Sequence, residues 1–203
     1  MEGLTTKKYQ KHLQNSFGVK FCCDVKEHSK ELEIINNNNP EEVSKQFILK
    51  LEDYAKDSYN LLQKNKKNIL WKEGEKKKHD ENKNCENCNF RYTPTNKKVA
   101  HHNHINGEFI SSLCNECNLK FQYKPFLPVY LHNLKGYDSH LFVNALYKYG
   151  STGQDVSCIP NNEERYISFS KNIKVGEYYS RKEKKKKEIT FEIRFLDTIA
   201  FMN

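Results

Sequence analysis

Apolar positions in this chain come in short runs set between long polar stretches, and the period of each run predicts an element. Near the start, SFGVKFCCDV alternates as a strand, and the Asn run from Asn36 to Asn39 breaks it as a turn or insertion. A helix is expected next. Asn39 suits the N-cap, Pro40 the first helical position, and Glu41 and Glu42 the positive end of the helix dipole. Val43, Phe47, Leu51, Tyr54, Ser58 and Leu62 recur at helical spacing and make one apolar stripe, which reads as a core face.

Farther along, FLPVYLHNL has the apolar density and β-branching of a buried strand. DSHLFVNALYKYG has the period of a short helix, N-capped by Asp138 and closed by Gly150. RYISFS, NIKVGEYYS and ITFEIRFLDTIAFM alternate as antiparallel strands, with the intervening lysine run as a hairpin loop. Stopping at Asn203 on a strand pattern predicts truncation. The mixture defines an α/β chain, more narrowly α+β. Cys22 and Cys23, in the strand-like run, and Cys158 are expected in the core as free thiols.

Composition changes this picture in two ways. Only 36% of the 203 residues are hydrophobic and the mean hydropathy is −0.91, so a core must be concentrated in the few apolar runs. A formal net charge of +8 favours a polyanionic partner, with nucleic acid the first suspect. The densest lysine runs, Lys72–Lys78 and Arg181–Lys187, read as solvated loops. No apolar run approaches a membrane span, so no membrane partner is expected.

The candidate chemistry lies between Cys85 and Asp138. Cys85/Cys88 and Cys114/Cys117 are two Cys-x-x-Cys pairs, a spacing that lets two short turns offer four thiolates to one tetrahedral zinc ion. Two disulfides are the alternative; the start MEGLTTKK, without an apolar signal core, argues against an oxidising compartment. Between the pairs stand His101, His102 and His104, and Asn118 follows the last cysteine. This order has the look of a treble-clef nuclease site, in which His102 would be the general base and Asn118 a magnesium ligand. His101 stands where an Asp ligand is expected, so the hard oxygen donor that magnesium prefers is missing. Asp138, at a strand-to-helix junction, could hold a catalytic metal or simply cap the helix.

Several segments in order resemble the exonuclease region of protein-primed family B DNA polymerases of the Polinton/Maverick transposon type. They are TKKYQKHLQNSFGVKFC, the cysteine and histidine module, PVYLHNLKGYDSHLF, VSCIPNNEERYISF and FLDTIAFMN. The resemblance implies a partial ribonuclease-H-like exonuclease domain over residues 1–70 and 120–203. A basic linker at 71–84 and a treble-clef zinc module at 85–119 would be inserted in it. It implies that Asp138 binds magnesium or manganese, and that Asn133, with Lys135 and Tyr137 beside it, contacts single-stranded or primer-template DNA. The family's Asp-x-Glu motif would fall before residue 1, and its third exonuclease motif and polymerase motifs beyond residue 203. His101, Ile110 and Cys114 replace the family's Asp, Arg and His, which keeps a zinc ligand but removes a hard ligand and a phosphate partner.

Three functions follow as expectations: a DNA-binding fragment of a mobile-element DNA polymerase, inactive alone; a stand-alone treble-clef endonuclease; or a non-catalytic DNA-binding protein. In the first, a polymerase palm or a terminal protein would be the partner in a full-length homologue. An intracellular site is expected, nuclear for an integrated element or mitochondrial for a linear plasmid.

Overall fold

A computed structural model describes residues 12–121, 124–150, 156–162, 165–181 and 183–201. The stretch MEGLTTKK, the first six residues of TKKYQKHLQNSFGVKFC, residues Glu163–Glu164 of VSCIPNNEERYISF and the terminal Met202–Asn203 lie outside them. The described residues form a mixed α+β structure with eight strands and four α-helices. They divide into two compact units, one from residues up to 58 together with 126 onward, the other covering 59–125. None of the helices is long and apolar enough to cross a membrane.

The first unit is organised by a four-stranded sheet. Its strands are β5 (Phe126–Leu131), β6 (Val156–Asn162), β7 (Arg165–Ser180) and β8 (Lys185–Asp197), in the order β5-β8-β7-β6. β6, β7 and β8 form an antiparallel meander, while β5 runs parallel to β8 from Phe126↔Glu192 to Leu131↔Asp197. RYISFS and NIKVGEYYS are not separate strands: they join in the single strand β7, with the lysine run partly inside β8. β5 is half-buried at the sheet edge, with Tyr130 exposed, and tolerates Pro128 because an edge strand needs fewer backbone donors.

On this unit the long helix α1 (Pro40–Lys64) begins as its sequence dictates. Asn39 Oδ1 accepts the Glu41 N–H at 3.0 Å, and Val43, Phe47, Leu51 and Tyr54 are buried. Helix α4 (Ser139–Lys148) places Phe142 against Phe47, Phe169 and Phe195, at ring separations of 5.0, 5.9 and 5.5 Å. A short hairpin, β1 (Ser16–Val19) with β2 (Glu33–Asn36), packs Phe17 on Phe47. The expected first strand stops at Val19, because β2 offers no partner beyond Val19↔Glu33. Cys22 is consequently exposed and Cys23 half-buried, and Cys158 on β6 is exposed as well, contrary to the core placement expected of all three.

A buried ion pair pins α1, α4 and β7 together. Lys171 and Glu52, both nearly inaccessible, are 4.0 Å apart, and Lys171 Nζ donates to the carbonyls of Leu146 and Tyr149 at 2.7 and 2.5 Å. These carbonyls lie in the last turn and at the C-cap of α4, where a cation complements the helix dipole. Burial holds the Lys171 ammonium below its ordinary range. Gly150 follows with φ +101°, and a Cβ there would collide with Glu52 and lie 2.7 Å from Lys171 Nζ.

The second unit contains α2 (Glu75–Glu81), the hairpin β3 (Lys98–His102) with β4 (Phe109–Cys114), and α3 (Asn115–Lys120). From Glu75 onward the Lys72–Lys78 run is helical where a loop is expected. The reason is tertiary: Lys98 Nζ donates to the carbonyls of His79, Asp80 and Asn82, closing the end of α2. Trp71 and His79 also pack on Phe109, the first ring tilted against it and the second edge-on.

Candidate functional site

Two groups of chemistry-bearing residues take shape, one in each unit. In the second unit the chain turns tightly after Cys85: Asn89 N–H donates to Cys85 O, Cys85 N–H donates to Phe90 O, and Asn89 takes φ +57°. That turn presents Cys85 and Cys88. Cys114 ends β4 and caps α3, its sulfur accepting the Cys117 N–H at 3.5 Å, so the second pair straddles a strand-to-helix junction. All four sulfurs lie within 4.8 Å of one another.

The geometry fits a metal ion. A tetrahedral zinc with Zn–S bonds of about 2.3 Å spaces its sulfurs by roughly 3.8 Å, and Cys88 Sγ and Cys114 Sγ are 3.8 Å apart. Asn87 Nδ2 donates to Cys117 Sγ at 3.3 Å, a hydrogen bond that favours a thiolate. Burial works against the Cys85 thiolate, but backbone hydrogen bonds from Cys88, Cys114 and Asn87 bring it down to about 6. At Cys88 the Phe90 N–H favours the thiolate, yet burial and the three neighbouring sulfurs push it up to about 12. Four thiols so close cannot all ionise without a cation, which is the demand a divalent metal meets. All four are free cysteines in this structure.

Ser112, fully buried, braces the cluster. Its backbone exchanges hydrogen bonds with Glu86 and accepts from Tyr92 Oη, and its hydroxyl pairs with His79 Nδ1 at 2.8 Å. Burial first, then the Lys98 ammonium, hold His79 below its ordinary value.

The histidines stand apart from the sulfurs. His101 Nδ1 and Asn118 Oδ1 are 2.9 Å apart, so the structure brings the replaced ligand position and Asn118 together. His102 Nδ1 is 3.2 Å from Ala100 O, and its ring lies 4.5 Å from that of His104. Ile110, where the resemblance expects an arginine, is exposed on β4.

In the first unit, β5 and β8 end side by side at Leu131 and Asp197. Beyond β5 the chain enters a π-type turn, Leu134–Asp138, which leads directly into α4. Asn133 starts the turn at φ +57°, and its carboxamide packs so closely on Gly136 that any Cβ there would collide with it. Asp138 already has helical angles and caps nothing with its side chain, so the N-cap role is not realised. Burial raises the Asp138 carboxyl above its ordinary range, the Asp197 charge adds to this, and His132 opposes it.

Asp197 is the residue that sequence reasoning passed over. Buried, it accepts the Lys135 N–H at 3.0 Å through Oδ2 and the Ile199 N–H at 3.1 Å through Oδ1. Burial alone would raise it, but the N–H groups of Lys135, Ile199 and Leu134 hold it below the ordinary carboxylate range. His132 and Thr198 share a hydrogen bond of 3.1 Å across the two strand ends. No local pattern marks Asp197; only the parallel pairing of β5 with β8 brings it to Asp138. Of the predicted DNA contacts, Lys135 serves Asp197 through its backbone, and exposed Tyr137 pairs its hydroxyl with His12 at 2.7 Å.

Comparison with protein-family models, curated proteins and solved structures yields no match.

Proposed function

We propose that this chain handles DNA in the manner of the exonuclease region of a protein-primed family B DNA polymerase, binding it without nucleolytic turnover of its own. The observation that carries the reading is the convergence of Asp138 and Asp197 at the carboxyl ends of the parallel strands β5 and β8. Sites of α/β proteins form at such strand ends. An antiparallel meander beside one parallel strand, with helices packed on the sheet, supports a ribonuclease-H-like assignment. In this reading Asp138 holds a magnesium or manganese ion. Asp197, both of whose oxygens already accept backbone N–H groups, positions the 133–138 turn and adds negative charge. Two-metal hydrolysis needs further carboxylates to bind both ions, so binding without cleavage follows. Zinc at the four cysteines is structural, in a treble-clef module.

A second reading, an endonuclease in that module, is favoured by the His101–Asn118 contact and by a His102 whose Nδ1 is engaged while Nε2 stays available. The test is a nuclease and binding assay of the metal-loaded chain on single-stranded and branched DNA with magnesium or manganese. Binding without cleavage supports the proposal. Cleavage lost in His102→Ala but kept in Asp138→Ala would replace it with the endonuclease.

A further inference from the structure

The β7–β8 hairpin outruns the sheet that supports it. β6 covers β7 only as far as Lys171, and β5 covers β8 only from Glu192 onward. From Lys174↔Thr190 to Ser180↔Lys185 the hairpin is therefore a two-stranded ribbon with no further strand beside it among the described residues. Edge strands of this kind invite pairing unless charge protects them. Here the charge is far larger than protection of two short edges requires: six of the seven residues from 181 to 187 are cationic.

Directly opposed residues of an antiparallel pair share a face, and the two faces of this ribbon differ. One carries Glu177, Tyr179, Lys186 and Glu188, and its charges are matched. Glu177 pairs with Lys174 and Lys186, and Glu188 pairs with Lys174. The opposite face carries Tyr178, Ser180, Lys185 and Lys187, with no carboxylate on either strand. It continues the face that lower down buries Phe191, Ile193 and Phe195 in the core. Only Glu183, in the turn, pairs with Lys185 and Lys187, one carboxylate against two ammonium groups. In the middle of this face the Tyr178 ring is half exposed, directly across from Lys187.

We propose that this Tyr178 face of the β7–β8 ribbon binds single-stranded nucleic acid, with the Tyr178 ring stacking on an unpaired base and Lys185 and Lys187 neutralising the adjoining phosphates. An aromatic ring set in a cationic strip is the combination that single strands use, because stacking requires a base face that a duplex hides. The inference rests on the DNA-binding reading above and locates part of the contact surface.

Its test is fluorescence anisotropy of the full metal-loaded chain with a labelled single-stranded oligonucleotide and a duplex of equal length, over a salt series. Lys185→Gln combined with Lys187→Gln is expected to weaken single-strand binding and to reduce the salt slope by about 1.4, two single-strand phosphate contacts. Tyr178→Ala should weaken it about tenfold, with Tyr178→Phe restoring it, because the ring stacks and the hydroxyl does not. Lys76→Gln combined with Lys77→Gln, the same charge change on the exposed surface of α2, should leave affinity nearly unchanged. Equal losses from both lysine pairs, wild-type affinity in Tyr178→Ala, or a preference for duplex would each overturn the ribbon site. Should the wild-type chain bind no nucleic acid at all, the DNA-handling reading falls too; binding that survives every ribbon variant sinks the ribbon alone.

Discussion

The two units are held together by different means, and the contrast explains why one announces its chemistry in sequence and the other does not. In the 59–125 unit the buried cluster consists of Cys85, Leu113, Cys114 and Cys117, with Cys88 and Tyr92 packed against it. Three of those four buried residues are cysteines of the candidate metal site, so without a metal little is left to hold the unit. The sheet unit instead buries Phe169, Ile173, Phe191, Ile193 and Phe195 together with Phe142, Leu146 and the apolar stripe of α1. It folds around side chains, and its carboxylates sit on strand ends that the core positions.

Removing the metal breaks the comparison most severely. Chelation, or Cys114→Ser, should unfold the 59–125 unit while the sheet unit keeps its structure, because zinc binding supplies about 10 kcal/mol or more in small sulfur-ligated modules. Hydrogen exchange read residue by residue checks this: amides of β3 and β4 should lose protection while those of β7 and β8 keep it. The intact chain should take up one equivalent of zinc.

Next in size is the buried pair of the sheet unit. Lys171→Met leaves Glu52 buried beside an apolar side chain and removes the donor to two α4 carbonyls, at a cost of about 3 kcal/mol. Chemical denaturation should show this loss in the sheet unit without any loss of bound zinc.

The carboxylates give the smallest effects and the sharpest distinction between positioning and binding. Asp197→Ala removes the acceptor for several backbone N–H groups and should cost about 1–3 kcal/mol. Asp138→Ala should change stability by about 0.5 kcal/mol or less, since its side chain makes no cap hydrogen bond. A plain N-cap would cost about 1 kcal/mol.

Acid should separate the units as well. His79 titrates below its ordinary value, so the stability it contributes is present above the ordinary histidine range and is lost as pH falls through the depressed value. Asp197 is held below the carboxylate range, so its contribution persists to lower pH. A pH titration followed by hydrogen exchange should therefore open the 59–125 unit first.

What was legible in sequence was whatever local geometry decides. The Cys-x-x-Cys turns need only a few residues each, and the cysteines meet as their spacing predicts. Helix α1 carries its start in Asn39 and Pro40 and its buried face in a regular stripe. The failures come from long-range pairing. Cys22 sits in an alternating run that finds no partner strand past Val19. The lysines of α2 look like a solvated loop until Lys98, distant in sequence, closes the helix end. Asp197 reads as an ordinary strand residue until β5 aligns beside β8, and the resemblance directed attention to Asp138 alone.

The most direct test of the carboxylate site is a manganese titration of the zinc-loaded chain, followed by paramagnetic broadening of backbone NMR signals. The account predicts broadening confined to residues 132–138 and 197–199, abolished by Asp138→Asn and weakening as acid protonates the raised Asp138 carboxyl. Broadening centred on His101 and Asn118, or none near Asp138, would contradict it.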